Sequence, residues 1–388
     1  MWIKIWNLIH YLVSQIFILI ISLQKRAILP GTLLIIRLDL LGDFFLYRGF
    51  LQTLKKSPKY HDNKITFCCN SNWKELAETY NGNSVDKFLY LDRNKFRIYI
   101  LYRFRLLKQI YSAGYETVIN LTYSREIQFG DLLVQASGAT HRIGCLSDLE
   151  KRAQWKRRLF SNNYYTQLVE LNEGNIFEIY RNKEFFEKIL DIQITEEELI
   201  PLFRLAKTII PEKIPYVVLV PGASTATKRW DVRNFRVIVS YILEHSDMHL
   251  ILTGSDTEKS IAESLAEGLS SERIKNLAGR LSLGSLVDVI SRAAFIISNE
   301  TGTIHIAAAA GTPFICISSG ICFGRFHPYP KEIFDKGYYI YPPEMMDRIS
   351  NYDFLAEKYR FGSDLDINSI KPETVTGLVK LLLAGSQD

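Results

Sequence analysis

The chain has 388 residues, 47% of them apolar and 23% charged, with a formal net charge of +5. That balance excludes a disordered chain and allows two or three domains with real cores. It also argues against a nucleic-acid partner, because the excess charge is small and no Arg/Lys–aromatic motif of the RNA-binding type appears. The five cysteines, Cys68, Cys69, Cys145, Cys316 and Cys322, repeat no zinc or disulfide spacing. They read as reduced thiols of a cytoplasmic protein.

Residues 2–23, WIKIWNLIHYLVSQIFILIISL, are nearly all apolar, interrupted by Lys4, Asn7, His10, Ser14 and Gln15 on roughly one helical face. The pattern favours a helix lying in a membrane interface, with a membrane span or a helix docked on the protein as the alternatives, and no cleavage site of a secretory signal follows. Removing it is expected to leave a folded, soluble remainder. After Pro30-Gly31, residues 33–36 form a buried strand that runs into Arg37-Leu38-Asp39-Leu40-Leu41-Gly42-Asp43 and a helix over 44–56. Gly42 permits a tight turn, and Asp43 sits at the helix start as an N-cap or as something more. The alternation continues with strands at 64–69, 85–91 and 115–121 and helices at 72–80, 96–112 and 129–138. Tyr123 and Arg125 follow the 115–121 strand. The 151–160 segment, KRAQWKRRLF, reads as a basic surface stretch, and 173–190 as a helix. A connector over 191–214 separates the domains.

The second half opens with a strand at 216–220, the loop Pro221-Gly222-Ala223-Ser224, then Lys228-Arg229-Trp230 and a helix over 232–245. A strand at 249–253 leads to Gly254 and Glu258, the latter reading as a helix N-terminal acid on its own. Residues 294–298 are a buried strand, Asn299 to Thr303 a polar turn, 304–310 an Ala-rich helix closing on Gly311, and 314–317 another strand. The result is one parallel crossover unit whose turn lies at a strand's carboxyl end, where open α/β sheets bind ligands. Backbone N–H groups of Thr301 to Ile304 would point out of the helix start and favour an anion such as a diphosphate. His305, one turn in, would add a donor.

The RLDLLGD segment at 37–43, KRW at 228–230 and the Glu300-Thr301-Gly302 turn with His305 resemble, in their order, the heptosyltransferase family, glycosyltransferase family 9. The likeness covers nearly all of the chain after about residue 30. That family usually has Asp-Thr-Gly at the turn, so the acid here is one methylene longer. The resemblance implies an α/β fold of two facing Rossmann-like domains, a GT-B glycosyltransferase, with an added N-terminal hydrophobic helix. The expected parts are a membrane-associating helix over 1–30, an acceptor-binding domain over 31–208, a nucleotide-sugar domain over 209–345 and a segment over 346–388 whose helix crosses back to the first domain. Asp43 matches the family's proposed general base, with Asp39 as supporting carboxylate and Arg37, Gly42, Tyr123 and Arg125 on the acceptor side. Donor contacts are expected from Ser224, Lys228, Trp230, Gly254, Glu258, Glu300, Thr301, Gly302 and His305.

The implied reaction is inverting transfer, without metal or cofactor, from a nucleotide-diphosphate sugar such as ADP-heptose to a lipid-linked or lipopolysaccharide-core acceptor. The enzyme would be a monomer, peripheral on the cytoplasmic face of the inner membrane. Asp43 would deprotonate the acceptor hydroxyl, while Lys228 and the Thr301-Gly302 helix start would stabilise the departing diphosphate. Asp364-Leu365-Asp366 mimics a metal-binding Asp-x-Asp but lies far from these motifs. A dehydrogenase or epimerase would need G-x-G-x-x-G after the first strand, which Leu40-Leu41-Gly42-Asp43 lacks. A non-catalytic, membrane-associated sugar-binding protein is the remaining rival, separable by a donor-hydrolysis assay.

Overall fold

Strands covered on both faces are apolar at every position rather than at alternate ones, and residues 33–36 and Tyr216–Val220 are both buried throughout. Each sits at the centre of a sheet. The computed structural model describes residues 2–146, 151–172, 174–199, 214–269 and 272–385. The first sheet comprises β1 (Leu29–Arg37), β2 (Lys64–Asn70), β3 (Lys87–Leu91), β4 (Tyr115–Asn120), β5 (His141–Cys145) and β6 (Gln167–Val169). Its order is β3-β2-β1-β4-β5-β6, parallel throughout. The second comprises β7 (Tyr216–Val220), β8 (His249–Leu252), β9 (Ile274–Asn276), β10 (Phe295–Asn299), β11 (Phe314–Ile317) and β12 (Gly337–Ile340). Its order, β12-β11-β10-β7-β8-β9, is again parallel and repeats the first winding strand for strand. In this doubly wound order the chain reverses direction between β1 and β4 and between β7 and β10, and the carboxyl ends there frame a crevice.

The chain forms two compact units, Met1–Gly174 with Ile179–Ile194, and Asn175–Glu178 with Thr195–Asp388. The expected boundary at 208/209 lies outside the described residues. In the second unit Val217, Leu219, Phe235, Ile238 and Ile297 anchor the core, each buried aliphatic or aromatic side chain stabilising by roughly 1.5–3 kcal/mol. The Pro372–Gly385 helix, expected to return to the first domain, adds Val375, Val379 and Leu383 to this second core.

Two expected helices are subdivided. The basic one breaks into Arg93–Ile98 and Ile100–Ser112. Tyr99 between them is extended at φ −96°, ψ 108°, in an Ile-Tyr-Ile run that resists helix at χ1. The other begins as a wide turn, Ile127–Asp131, before Leu132–Ser137. Gly130 is needed there because a Cβ would stand 2.7 Å from the Asn120 amide nitrogen. The basic surface stretch Lys151–Phe160 is a helix, with Trp155, Leu159 and Phe160 exposed.

The amino-terminal segment is helical over Trp2–Ser22, but the side bearing His10, Ser14 and Gln15 turns toward the protein, while the side chains of Lys4 and Asn7 lie outside the described residues. Arg103 Nη1 donates to the His10 carbonyl and to Ser14 Oγ, both at 2.9 Å. The Tyr11 and Tyr164 hydroxyls meet at 2.6 Å, and the Gln15 and Gln135 amides pair at 2.7 and 3.0 Å. Ile21 is buried and Phe17 packs edge-on against Phe104. Removing the helix would strip a buried guanidinium of two acceptors, so it is a structural part of the first unit rather than a detachable anchor. Among the described residues no helix is long and apolar enough to cross a membrane.

Candidate functional site

In the first unit the site begins where β1 ends. Arg37, 1% exposed, carries its guanidinium inward because several acceptors converge on it. Its Nη1 donates to the Leu121 carbonyl after β4 at 2.5 Å and to Asn182 Oδ1 at 3.3 Å. Its Nε lies 2.6 Å from Asp39 Oδ2, its Nη2 lies 3.8 Å from Asp43 Oδ1, and the group stacks over the Tyr47 ring. One buried cation thus gathers two carboxylates at the β1/β4 switch point. Asp39 is held tightly, whereas the Asp43 carboxylate lies more than an ångström farther from the guanidinium. The main chain around Asp39 is pinned by Trp73 Nε1, which donates to its carbonyl at 3.0 Å. The N-cap of the Leu41–Lys56 helix is Leu40, and Asp43 is the third helical residue. The plain N-cap reading of Asp43 therefore fails, although a first-turn carboxylate still gains from the helix dipole. Gly42 lies inside that helix and not in a tight turn.

Tyr123 and Arg125 follow β4. Tyr123 is buried under the Arg181 guanidinium, 3.8 Å from its ring centre. Arg125 is buried beside Asp131 at 3.5 Å and donates to Asn162 Oδ1 at 2.5 Å. It also borders a cleft of about 690 Å³, lined by Arg93, Arg97, Glu126 and Arg157 among other residues. Arg93 forks onto both Glu126 oxygens at 2.7 and 3.0 Å and donates to the Leu38 carbonyl at 3.1 Å, tying the cleft to the Asp39 loop. Glu126 closes the Tyr123–Glu126 stretch expected on the acceptor side, whereas sequence reasoning passed over Arg93, Arg181 and Asn182. Arg93 alone had a signal: it follows the carboxyl end of β3.

In the second unit the β7 and β10 ends are joined by Asn299, wholly buried, whose Nδ2 donates to the Pro221 and Gly222 carbonyls while its Oδ1 accepts from the Trp230 N–H. Lys228 thereby comes beside the turn after β10, its Nζ 2.9 Å from Glu300 Oε1. The other Glu300 oxygen accepts from Ser318 Oγ at 2.7 Å and lies 3.2 Å from His327 Nε2. Burial disfavours a carboxylate here, yet His327 and Lys228 outweigh it and hold Glu300 down at about 2. His327 and Ser318 carry no motif, and only the return of the chain after β11 brings them to Glu300.

The Gly302–Ala310 helix starts at the N-cap Thr301, whose hydroxyl accepts from the Thr303 N–H, and the Ile304 N–H goes to the Thr301 carbonyl. Of the four amides expected to face an anion, Thr303 and Ile304 are therefore engaged within the turn, which leaves Thr301 and Gly302 of the expected set. His305 is buried with Nδ1 2.8 Å from the Tyr329 hydroxyl, and burial pushes it down to about 3. It is a neutral imidazole inside the unit and no cationic donor. Trp230 also departs from expectation: its indole is 1% exposed, packs on Phe235 and donates to the Ile370 carbonyl at 3.0 Å. The aromatic of the KRW motif holds the loop to the core.

Ser224 is exposed on the loop after β7. Glu258 caps its own helix through Ser255, accepting from both its N–H and its Oγ. Its carboxylate also lies where a Gly222 side chain would be, 2.4 Å from the position of a Cβ. Gly254 lies against the same residue. Among the described residues no group of three or more His, Cys, Asp or Glu gathers as a metal site. Asp366 instead caps the short Ile367–Ser369 turn.

Residues 103–333, more than half of the chain, match the family model described as glycosyltransferase family 9 (heptosyltransferase). The chain is similar to lipooligosaccharide heptosyltransferase 2 of Haemophilus ducreyi, 33% identical over 106 residues covering 26% of this chain and 30% of that one. It is similar to lipopolysaccharide heptosyltransferase 3 of Escherichia coli strain K12, 25% identical over 237 residues covering 59% of this chain and 65% of that one. The chain thus spans less than two thirds of the length of either relative. Among solved structures, the ADP-heptose lps heptosyltransferase II of E. coli shares the fold with a TM-score of 0.66 at 16% identity, covering 92% of this chain and 100% of that one. With two doubly wound α/β units, the GT-B fold and the family match together, the chain belongs to glycosyltransferase family 9, the heptosyltransferase family.

Proposed function

We propose that the protein is an inverting glycosyltransferase that moves a heptose from ADP-heptose to a lipopolysaccharide-core acceptor. The observation that carries this reading is the pair of switch points in a family 9 chain, one bearing the Asp39–Arg37–Asp43 cluster and the other Lys228 beside the Thr301-Gly302 turn. An acceptor hydroxyl attacks the anomeric carbon from the face opposite the leaving group. Its proton passes to Asp43, and the carbon–oxygen bond to the diphosphate breaks with its electron pair left on the diphosphate. Lys228 and the Thr301 and Gly302 amides meet that growing charge. This scheme asks for no divalent ion, so a chelator leaves turnover unchanged. The choice of donor and acceptor is supported by the relatives, one an ADP-heptose lps heptosyltransferase and the other two heptosyltransferases of lipopolysaccharide and lipooligosaccharide. The enzyme works as a monomer at the cytoplasmic face of the inner membrane, where a lipid-linked acceptor is presented.

The test is to incubate the full chain with ADP-heptose and a soluble inner-core fragment, reading ADP release and the mass of the product. The expected result is equimolar ADP and a product heavier by one heptose. Binding of nucleotide sugar without release of its nucleoside diphosphate, for this or any other donor, would make the protein a sugar-binding protein and end the transferase reading.

A further inference from the structure

The docking of the amino-terminal helix by its polar face leaves an apolar face outside. Leu8, Leu12, Ile16, Leu19 and Leu23 repeat at three- and four-residue spacing along it, each 51–78% exposed. In a water-soluble helix this stripe would be the one turned to the core, and exposed apolar patches on this scale mark an interaction surface. It does not stop at one helix. Where Arg93–Ile98 gives way to Ile100–Ser112, Ile98, Tyr99, Ile100 and Leu101 are all exposed. On the Lys151–Phe160 helix so are Trp155, Leu159 and Phe160. The three meet: Tyr11 lies edge-on to Phe160, Arg103 bonds the His10 carbonyl, and Leu8, Arg97, Trp155 and Phe160 border the same cleft.

Charge selects what covers this surface. The Trp2–Ser22, Arg93–Ile98, Ile100–Ser112 and Lys151–Phe160 helices contain Lys and Arg but not one Asp or Glu. Arg97, Arg105, Lys108 and Arg158 are exposed among the apolar side chains. A second copy of the chain would bring like charges together, which costs association, whereas an anionic surface is attracted to them. Exposed Trp6, Tyr99 and Trp155 add the amphipathic rings favoured at headgroup level.

We propose that this three-part face is a bilayer-docking surface for anionic phospholipid, with the amino-terminal helix lying along the membrane on its apolar side and bound to the enzyme by its polar side. The inference rests on the membrane-surface part of the proposed function and deepens it, because the seat is shared by three segments rather than being a single anchor. Apolar side chains enter the acyl boundary and the flanking cations meet the phosphates.

Flotation of the full chain with phosphatidylethanolamine–phosphatidylglycerol vesicles, and with phosphatidylcholine vesicles, tests this without donor or acceptor. The expected result is binding to the anionic vesicles and binding weaker by about tenfold or more to the neutral ones. Leu12→Glu/Ile16→Glu should weaken anionic binding by about tenfold or more, and Leu101→Glu/Leu159→Glu, remote from the first pair, should do likewise. All four positions are exposed, so circular dichroism and ADP release from the soluble fragment should match the unmodified chain. Should one pair fail to fold, the other still decides. The proposal is overturned if the unmodified chain ignores anionic vesicles or if both pairs bind as it does. It is overturned too if the chain is a dimer that Leu12→Glu/Ile16→Glu splits while no form binds vesicles. Loss of ADP release with vesicle binding intact would instead count against the transferase reading alone.

Discussion

The two units wind their strands in the same order and place their polar side chains at the same switch point, yet they fill it with opposite charge arrangements. After β1 a buried cation, Arg37, stands at the centre and two carboxylates, Asp39 and Asp43, lean on it from the partly exposed side. After β10 a buried carboxylate, Glu300, stands at the centre with Lys228 and His327 around it. In each case the central ion is buried; Asp39, Asp43 and Lys228 are partly exposed, whereas His327 is buried with Glu300. The fold therefore supplies a position, and the sign of the central ion decides what the position offers. In the proposed reaction the first unit would supply the carboxylate that takes a proton, and the second the ammonium that meets an anion.

Exchanging charge for neutrality on each side is the strongest way to break this comparison. Asp43→Asn removes the carboxylate proposed as the base, so sugar transfer should fall by roughly 10²–10⁴-fold. Stability should change less than in Asp39→Asn, since Asp43 is not the N-cap and stands 3.8 Å from Arg37 where Asp39 stands at 2.6 Å. Asp39→Asn should show the reverse, with a smaller loss of transfer but about 1–3 kcal/mol of stability lost, because it removes the close partner of a buried guanidinium. Rate assays and denaturant titrations on the two variants decide it. If Asp39→Asn abolishes transfer and Asp43→Asn does not, the base has been assigned to the wrong carboxylate. On the other unit Lys228→Ala should weaken transition-state stabilisation by about 2–4 kcal/mol, read as kcat/KM for the donor. Unchanged donor kinetics would mean that Glu300, and not a diphosphate, is the only partner Lys228 serves.

The strands and both switch-point loops were legible in the sequence, because continuous apolar runs such as Tyr216–Val220 followed by polar, Gly-containing loops admit few other structures. Local pattern could not reveal which face of a helix docks. Periodicity put His10, Ser14 and Gln15 on one side, but only Arg103, Gln135 and Tyr164, far along the chain, turn that side inward. Trp230 misled for a related reason. Its place beside Lys228 suggested a shared ligand, whereas its indole is fixed by the Ile370 carbonyl from the opposite end of the unit. Glu300 was visible as a motif residue, but its hold on His327 depends on where the chain returns after β11.

His305 sharpens the comparison with the smallest effect. It was read as a donor to the anion, which would make it a second cation beside Lys228, whereas its burial against Tyr329 makes it neutral. The two readings predict opposite pH behaviour. A histidine pushed from 6.5 to about 3 binds its proton more readily unfolded than folded. Its contribution to stability is therefore complete above pH 6.5 and is lost as the pH falls toward about 3. Between roughly pH 7 and pH 5.5 this loss should come to about 1 kcal/mol. His305→Gln has no charge to gain and keeps an amide for the Tyr329 hydroxyl, so its stability should fall less over the same interval. The measurement is the difference in denaturant midpoint between the two proteins at several pH values. A gap that narrows as the pH is lowered fits the neutral, buried imidazole. One that widens would mean that His305 gains a proton in the folded state and shares the anion with Lys228.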